Sequence, residues 1–285
     1  MSTPFSAVVS FHLNPSYCGV ARWNQALSKK LGVPCVGLSG EWGAYPLVSL
    51  KWSEFCGKAD ALALLTRGRH TYAVLWHDAG DELITARAKQ AWWAFQDGLW
   101  CPPAPLPTPS TPAVRVFSFG MGHKLQTAPY RKVDALIASR GHTYDVRVSI
   151  AIHEGSYLGD VSARLDGLRR VVGRFGAVKI LGALADDALA EELHAAHAVC
   201  AFFADGVRPN NTSVWTAMRA GCPVVTNLDD QSPPDLIHGV TCFDIARLTT
   251  WPSPHLSRVV GAAGQSLVRD RYGDWDVFVR TLCAS

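Results

Sequence analysis

The 285-residue chain predicts two α/β domains, each built on a doubly wound parallel sheet. Short apolar runs alternate with amphipathic segments along most of its length, and a proline-rich seam between Cys101 and Pro112 divides that alternation in two. A hydrophobic content of 48% suffices to bury two cores of ordinary domain size.

The elements follow in order. SAVVSFHL (residues 6–13) has the length of a short buried strand. GVARWNQALSKKLG (19–32) continues at helical spacing, and VPCVGL (33–38) is again strand-like, completing a β-α-β unit opened by the loop NPSYCG. YAVLWHD (72–78) predicts a strand running into a helix over ELITARAKQAWWAF (82–95), and GLWCPP (98–103) a further strand. CPPAPLPTPSTP (101–112) holds six of the seventeen prolines, and the missing N–H donors make it a stiff connector. Beyond it, strands are expected at AVRVFSFG (113–120), YDVRVSIAI (144–152), VKILGAL (178–184), AVCAFF (198–203) and CPVVTN (222–227). Helices are expected at YRKVDALIASRG (130–141), SARLDGLRRVVGRFG (162–176), DDALAEELHAAH (186–197) and the segment opening at Asn211. The tail from Leu256 to Leu282 reads as helical. The domains are accordingly 1–106 and 113–262, with 263–285 a helix packing back on the first.

Composition removes several classes of protein. Lys plus Arg exceed Asp plus Glu by only 27 to 24, which permits a polyanionic partner without requiring one. The eight cysteines are scattered and form no C-x-x-C, against a zinc site or a disulfide framework. No signal-peptide pattern and no 18-residue apolar run is present, so a soluble, cytoplasmic, monomeric protein without membrane insertion is expected. No metal-ligand motif is complete, since HEGS (153–156) lacks the second histidine of H-E-x-x-H.

In doubly wound sheets ligands sit beyond the carboxyl ends of the strands, which directs attention to four loops around an expected central cleft. FGMGHK (119–124) follows a strand with Gly120, Met121, His123 and Lys124; it is either a tight turn with a solvated lysine or a glycine loop that admits an anion to the backbone. RPNNTS (208–213) puts Arg208, Asn210, Asn211, Thr212 and Ser213 at a helix start, where free N–H groups and the positive dipole end suit an anion. One of these side chains suffices for a cap, and four exceed that need. Together the two loops point to one nucleoside-diphosphate site. WHDAGDE (76–82) offers His77 and Asp78 as general base or sugar-hydroxyl contact, with helix capping by Asp78 or Asp81 as the alternative. DDQSPPDLIHG (229–239) either binds hydroxyls or turns the chain, and its paired Asp229 and Asp230 are left unexplained.

The run ILGALADDALAEELHAAHAVCAFFADGVRPNNTSVWTAMRAGCPVVTNLDD (180–230) resembles the donor-binding half of GT-B glycosyltransferases, with TAMRAGCPVV in the place of EAMAxGxPVV. FSFGMGHK (117–124) is similar to the first loop of that half and NPSYCGVARW (14–23), with Gly19, to a glycine-bearing loop of the other. The resemblance spans Val114 to Ile245. It implies two Rossmann-like domains, a nucleoside-diphosphate sugar as donor, no required cofactor or metal, and Lys124 and Arg208 on the diphosphate. The family often carries two glutamates eight positions apart; Arg208 and Thr216 stand there instead, so ribose contact passes to Asn210, Asn211, Thr212 and Ser213, with Thr216 kept among the expected nucleotide-binding residues.

The resemblance extends to viral enzymes that glycosylate 5-hydroxymethylpyrimidines. Basic residues interleaved with Trp23, Trp42, Trp52, Trp92 and Trp93 in the first half favour such duplex DNA as acceptor. A saccharide acceptor and a non-catalytic nucleotide- or sugar-binding module are the alternatives.

Overall fold

The computed structural model describes residues 3–15, 18–55, 60, 63, 65–66, 71–78, 80–94, 114–122, 125–151, 158–172, 176–271 and 275–284. The chain divides into two units, Met1–Trp100 with Tyr272–Ser285, and Cys101–Arg271.

In the first unit β1 (Val8–Ser10), α1 (Gly19–Leu31), β2 (Cys35–Gly37), β3 (Leu47–Leu50), α2 (Trp52–Phe55), β4 (Ala73–Trp76), α3 (Glu82–Arg87) and β5 (Gln90–Trp93) succeed one another. The five strands are parallel, in the order β2-β1-β3-β4-β5. Alternate residues go to opposite faces. Val8, Leu47, Ala73 and Leu75 pack with Trp23 and Leu27 of α1, while Val9, Val48, Leu50, Val74 and Trp76 form a second cluster with Trp42 and Ile84. Burial on both faces is why these strands read as continuous apolar runs.

The second unit holds β6 (Val114–Met121), α4 (Tyr130–Ala138), β7 (Tyr144–Ala151), α5 (Leu158–Val171), β8 (Gly176–Gly182), α6 (Asp186–Ala195), β9 (Ala198–Ala201), α7 (Thr212–Arg219), β10 (Val224–Thr226), β11 (Phe243–Asp244) and α8 (Pro254–Arg271). Its six parallel strands lie in the order β11-β10-β9-β6-β7-β8. The chain ends in α9 (Trp275–Ala284), whose Val279 and Leu282 join the first unit's core and whose Phe278 ring meets Trp23 edge-on at 5.7 Å.

Three segments differ from expectation. The helix expected over 82–95 stops at Arg87: Ala88 turns extended, and Gln90–Trp93 pairs with β4, placing Trp92 beside Leu75 and Trp93 beside Trp76. Pairing to a central strand outweighs the local helical spacing. The tail is two helices, with α8 in the second unit and only α9 in the first. β3, in a segment for which no element was expected, is the central strand of its sheet. The proline seam, GLWCPP and HEGS lie outside the described residues. Among the described residues no helix is long and apolar enough to cross a membrane.

Candidate functional site

In the second sheet β6 is flanked by β9 on one side and β7 on the other, so successive connections leave in opposite directions and the carboxyl ends of β6 and β9 diverge. This is the topological switch point where open α/β sheets take their ligands. A cavity of about 50 Å³ opens there. Ser118 to Met121 line it from β6, Leu125, Gln126 and Tyr130 from the turn into α4, Ser149 and Ile150 from β7, Ala201 from the end of β9 with Phe202 and Phe203 just beyond it, and Ser213 from α7.

Each wall has a local cause. Gly120 has φ 139°, a conformation side chains resist, and nothing stands within 4 Å of the Cβ it lacks, so the bare backbone borders the opening. Phe119 stacks on Phe117 with ring centroids 5.4 Å apart. Tyr130 is buried, which drives its hydroxyl pKa well above the ordinary value and leaves it neutral. Phe203 is held through its peptide: Asn227 accepts from its N–H at 2.8 Å and donates to its carbonyl at 2.7 Å.

The mouth of α7 gives one of its short polar residues a task. Asn211 occupies the cap position, yet its Oδ1 accepts from the Arg208 N–H at 2.6 Å and makes no bond to the helix. Trp215, fully buried, donates its indole N–H to the Pro209 carbonyl at 2.8 Å. Of the residues expected at the nucleotide, Gly120, Met121 and Ser213 line the cavity; Arg208, Asn210, Asn211, Thr212 and Thr216 do not. Arg208 donates through both terminal nitrogens to Asp229, at 2.8 Å each. His123 and Lys124 lie outside the described residues.

Gly19 is the first residue of α1, in the first unit. His77 and Asp78, also there, have structural tasks that local sequence could not reveal. His77 is 1% exposed, stacks edge-on against Trp23 at 4.7 Å, and lies 2.9 Å from Ser49 Oγ through Nε2. Ser49 gives its hydroxyl proton to Asn24 Oδ1 at 2.6 Å, and Asn24 Nδ2 donates to Ser10 Oγ and the Ser49 carbonyl. The hydroxyl proton being committed, Nε2 of His77 carries the hydrogen and donates. Burial holds its pKa down at about 3, so the ring is neutral. Asp78 accepts from the N–H groups of Trp52, Ser53 and Gly80, capping α2, while Asp81 caps α3 through the Ile84 N–H. Of the two readings offered for this loop, the geometry shows the capping one for Asp78 and Asp81, while the His77 ring is enclosed and hydrogen-bonded inside the first unit.

No family model matches the chain, and no curated protein matches it. Its backbone is similar to that of HepE from Anabaena, solved in complex with UDP and glucose, with TM-score 0.60, 13% identity and 98% of both chains covered. It is also similar to sucrose-phosphate synthase from Thermosynechococcus elongatus, with TM-score 0.54, 14% identity, and 90% of this chain and 74% of that one covered. A glycosyltransferase from Rickettsia africae gives 0.54 at 9% identity, covering 98% and 97%. At these identities the likeness is one of fold.

Proposed function

We propose that the chain is a glycosyltransferase that takes a UDP-linked sugar in its second unit and transfers the sugar to an acceptor hydroxyl. The observation that carries this is the cavity at the β6/β9 switch point, bordered by bare backbone at Gly120 and by Ser213 in the first turn of α7. The shared fold with HepE, solved with UDP and glucose, supports the choice of nucleotide.

In the transfer the acceptor oxygen bonds to the anomeric carbon as the bond from that carbon to the diphosphate oxygen breaks, and negative charge collects on the departing UDP. The first-turn N–H groups and dipole of α7 meet that charge, with Lys124, three positions after Met121 in the sequence, as the cation. This donor set stabilises the leaving group without a metal ion.

For the acceptor we favour a saccharide hydroxyl. The DNA reading drew on tryptophans available for stacking, but Trp23 and Trp42 are buried and Trp92 and Trp93 pack against the first unit's clusters. Incubating the protein with UDP-sugars and a panel of saccharides is expected to release UDP only when an acceptor is present. Transfer confined to 5-hydroxymethylated DNA would restore the DNA reading. UDP binding with no turnover on any acceptor would make the chain a binding module.

A further inference from the structure

Arg208 reads in sequence as a fork for the diphosphate, but in the structure that fork is occupied. Nη1 and Nη2 each donate to one oxygen of Asp229 at 2.8 Å, and Nη1 also donates to the Val207 carbonyl at 2.9 Å. Asp229 further accepts from the Ser232 hydroxyl at 2.9 Å and the Gln231 N–H at 3.1 Å. We propose that Arg208 and Asp229 are a positioning pair, a clasp that fixes the loop between β9 and α7 so that the first turn of α7 faces the cavity, and that neither touches the diphosphate.

Three observations support the clasp. Its loops leave adjacent strands in register, Ala201 beside Thr226, so a short bridge spans them. Gly206 has φ 74°, and a Cβ there would sit 2.6 Å from the Asp229 carboxyl carbon; the carboxylate rests where only glycine leaves room. The rest of the loop is tied from inside the same structure, by Asn211 to the Arg208 N–H, by Trp215 to the Pro209 carbonyl, and by Asn227 to the Phe203 peptide. The paired side chains are 27% and 34% exposed, where an ion pair adds little to global stability. Its bidentate geometry instead gives directional hold, which makes local shape its product.

The effect on ligand rests on the proposed donor site, whereas the clasp itself does not, and the test separates them. UDP is titrated by calorimetry into the wild type, Asp229→Ala, Arg208→Ala and the double variant, and amide hydrogen exchange over residues 206–214 is followed without ligand. Each single variant should lose about tenfold in UDP affinity, and the double variant no more than either single, the pattern of residues acting as one unit. Exchange over 206–214 should rise alike in all three. A loss of roughly a hundredfold for Arg208→Ala with Asp229→Ala unchanged would make Arg208 a direct phosphate ligand and overturn the proposal. Failure of the wild type to bind UDP would remove the donor reading alone. The exchange data would still decide the clasp, because unaltered exchange in Asp229→Ala overturns it. Gly206→Ala, which crowds the carboxylate, should reproduce the exchange of Asp229→Ala.

Discussion

A histidine at the end of an apolar strand looks functional because the strand gives it nothing to do. For His77 the task comes from elsewhere: Ser49 lies 28 positions away, Ser49 is bonded to Asn24, and Asn24 to Ser10. Local spacing carries no trace of such convergence, which only the sheet order creates. Asp229 is the converse case, since its paired acidic residues stood out in sequence as unexplained and the structure supplies the partner. The buried ring predicts a pH dependence. The folded protein keeps His77 neutral down to about pH 3, while the unfolded ring takes a proton near 6.5. Its contribution is therefore complete above pH 6.5 and is lost as pH falls toward 3, at roughly 1.4 kcal/mol per pH unit within that window. Urea midpoints measured from pH 7 to pH 4 should fall less steeply for His77→Gln, whose amide can still donate to Ser49. An identical slope in both proteins would show that other groups govern acid sensitivity.

Elements with a full helical period were legible, as α1 and α4 to α7 show, because amphipathic spacing and terminal glycines are local properties. β3 and β5 were not. LVSL is four residues long with no helix joining it to β2, and QAWW shares helical spacing with the segment before it, so only pairing, of β3 with β1 and β4 and of β5 with β4, identifies them as strands. How α8 lies on α7 was equally hidden. Gly261 faces the turn after α7 and Gly264, three positions on, faces the backbone before β11: a Cβ on Gly261 would meet the Gly221 carbonyl, and one on Gly264 would stand 2.9 Å from the Thr241 carbonyl. Both obstacles are backbone and cannot rotate away. Gly261→Ala is expected to cost about 1–3 kcal/mol, as overpacking does, read as a lowered denaturation midpoint. An unchanged midpoint would mean that α8 can shift on α7 without loss.

At the scale of the whole molecule, alternating strands and helices foretold two parallel sheets, and the structure has them in two different orders. The first sheet runs β2-β1-β3-β4-β5 and the second β11-β10-β9-β6-β7-β8. Alternation alone does not say where the strand order reverses, and that reversal is what makes a crevice. Gly120, Met121 and Ser213, singled out from the chemistry of their loops, line the cavity, whereas Ser149, Tyr130 and Phe203 reach it from elements whose neighbours sequence does not name. Residues 263–285 read in sequence as one helix belonging with the first domain, whereas the division falls inside that stretch, α8 counting with the second unit and α9 with the first. The β6/β9 switch point is expected to receive the diphosphate of a nucleotide, and a crystal structure of the complex with UDP decides this. The diphosphate should lie against the first-turn N–H groups of α7 and the backbone at Gly120, with Arg208 still paired to Asp229. UDP bound elsewhere, with that cavity closed or filled by side chains, would contradict it.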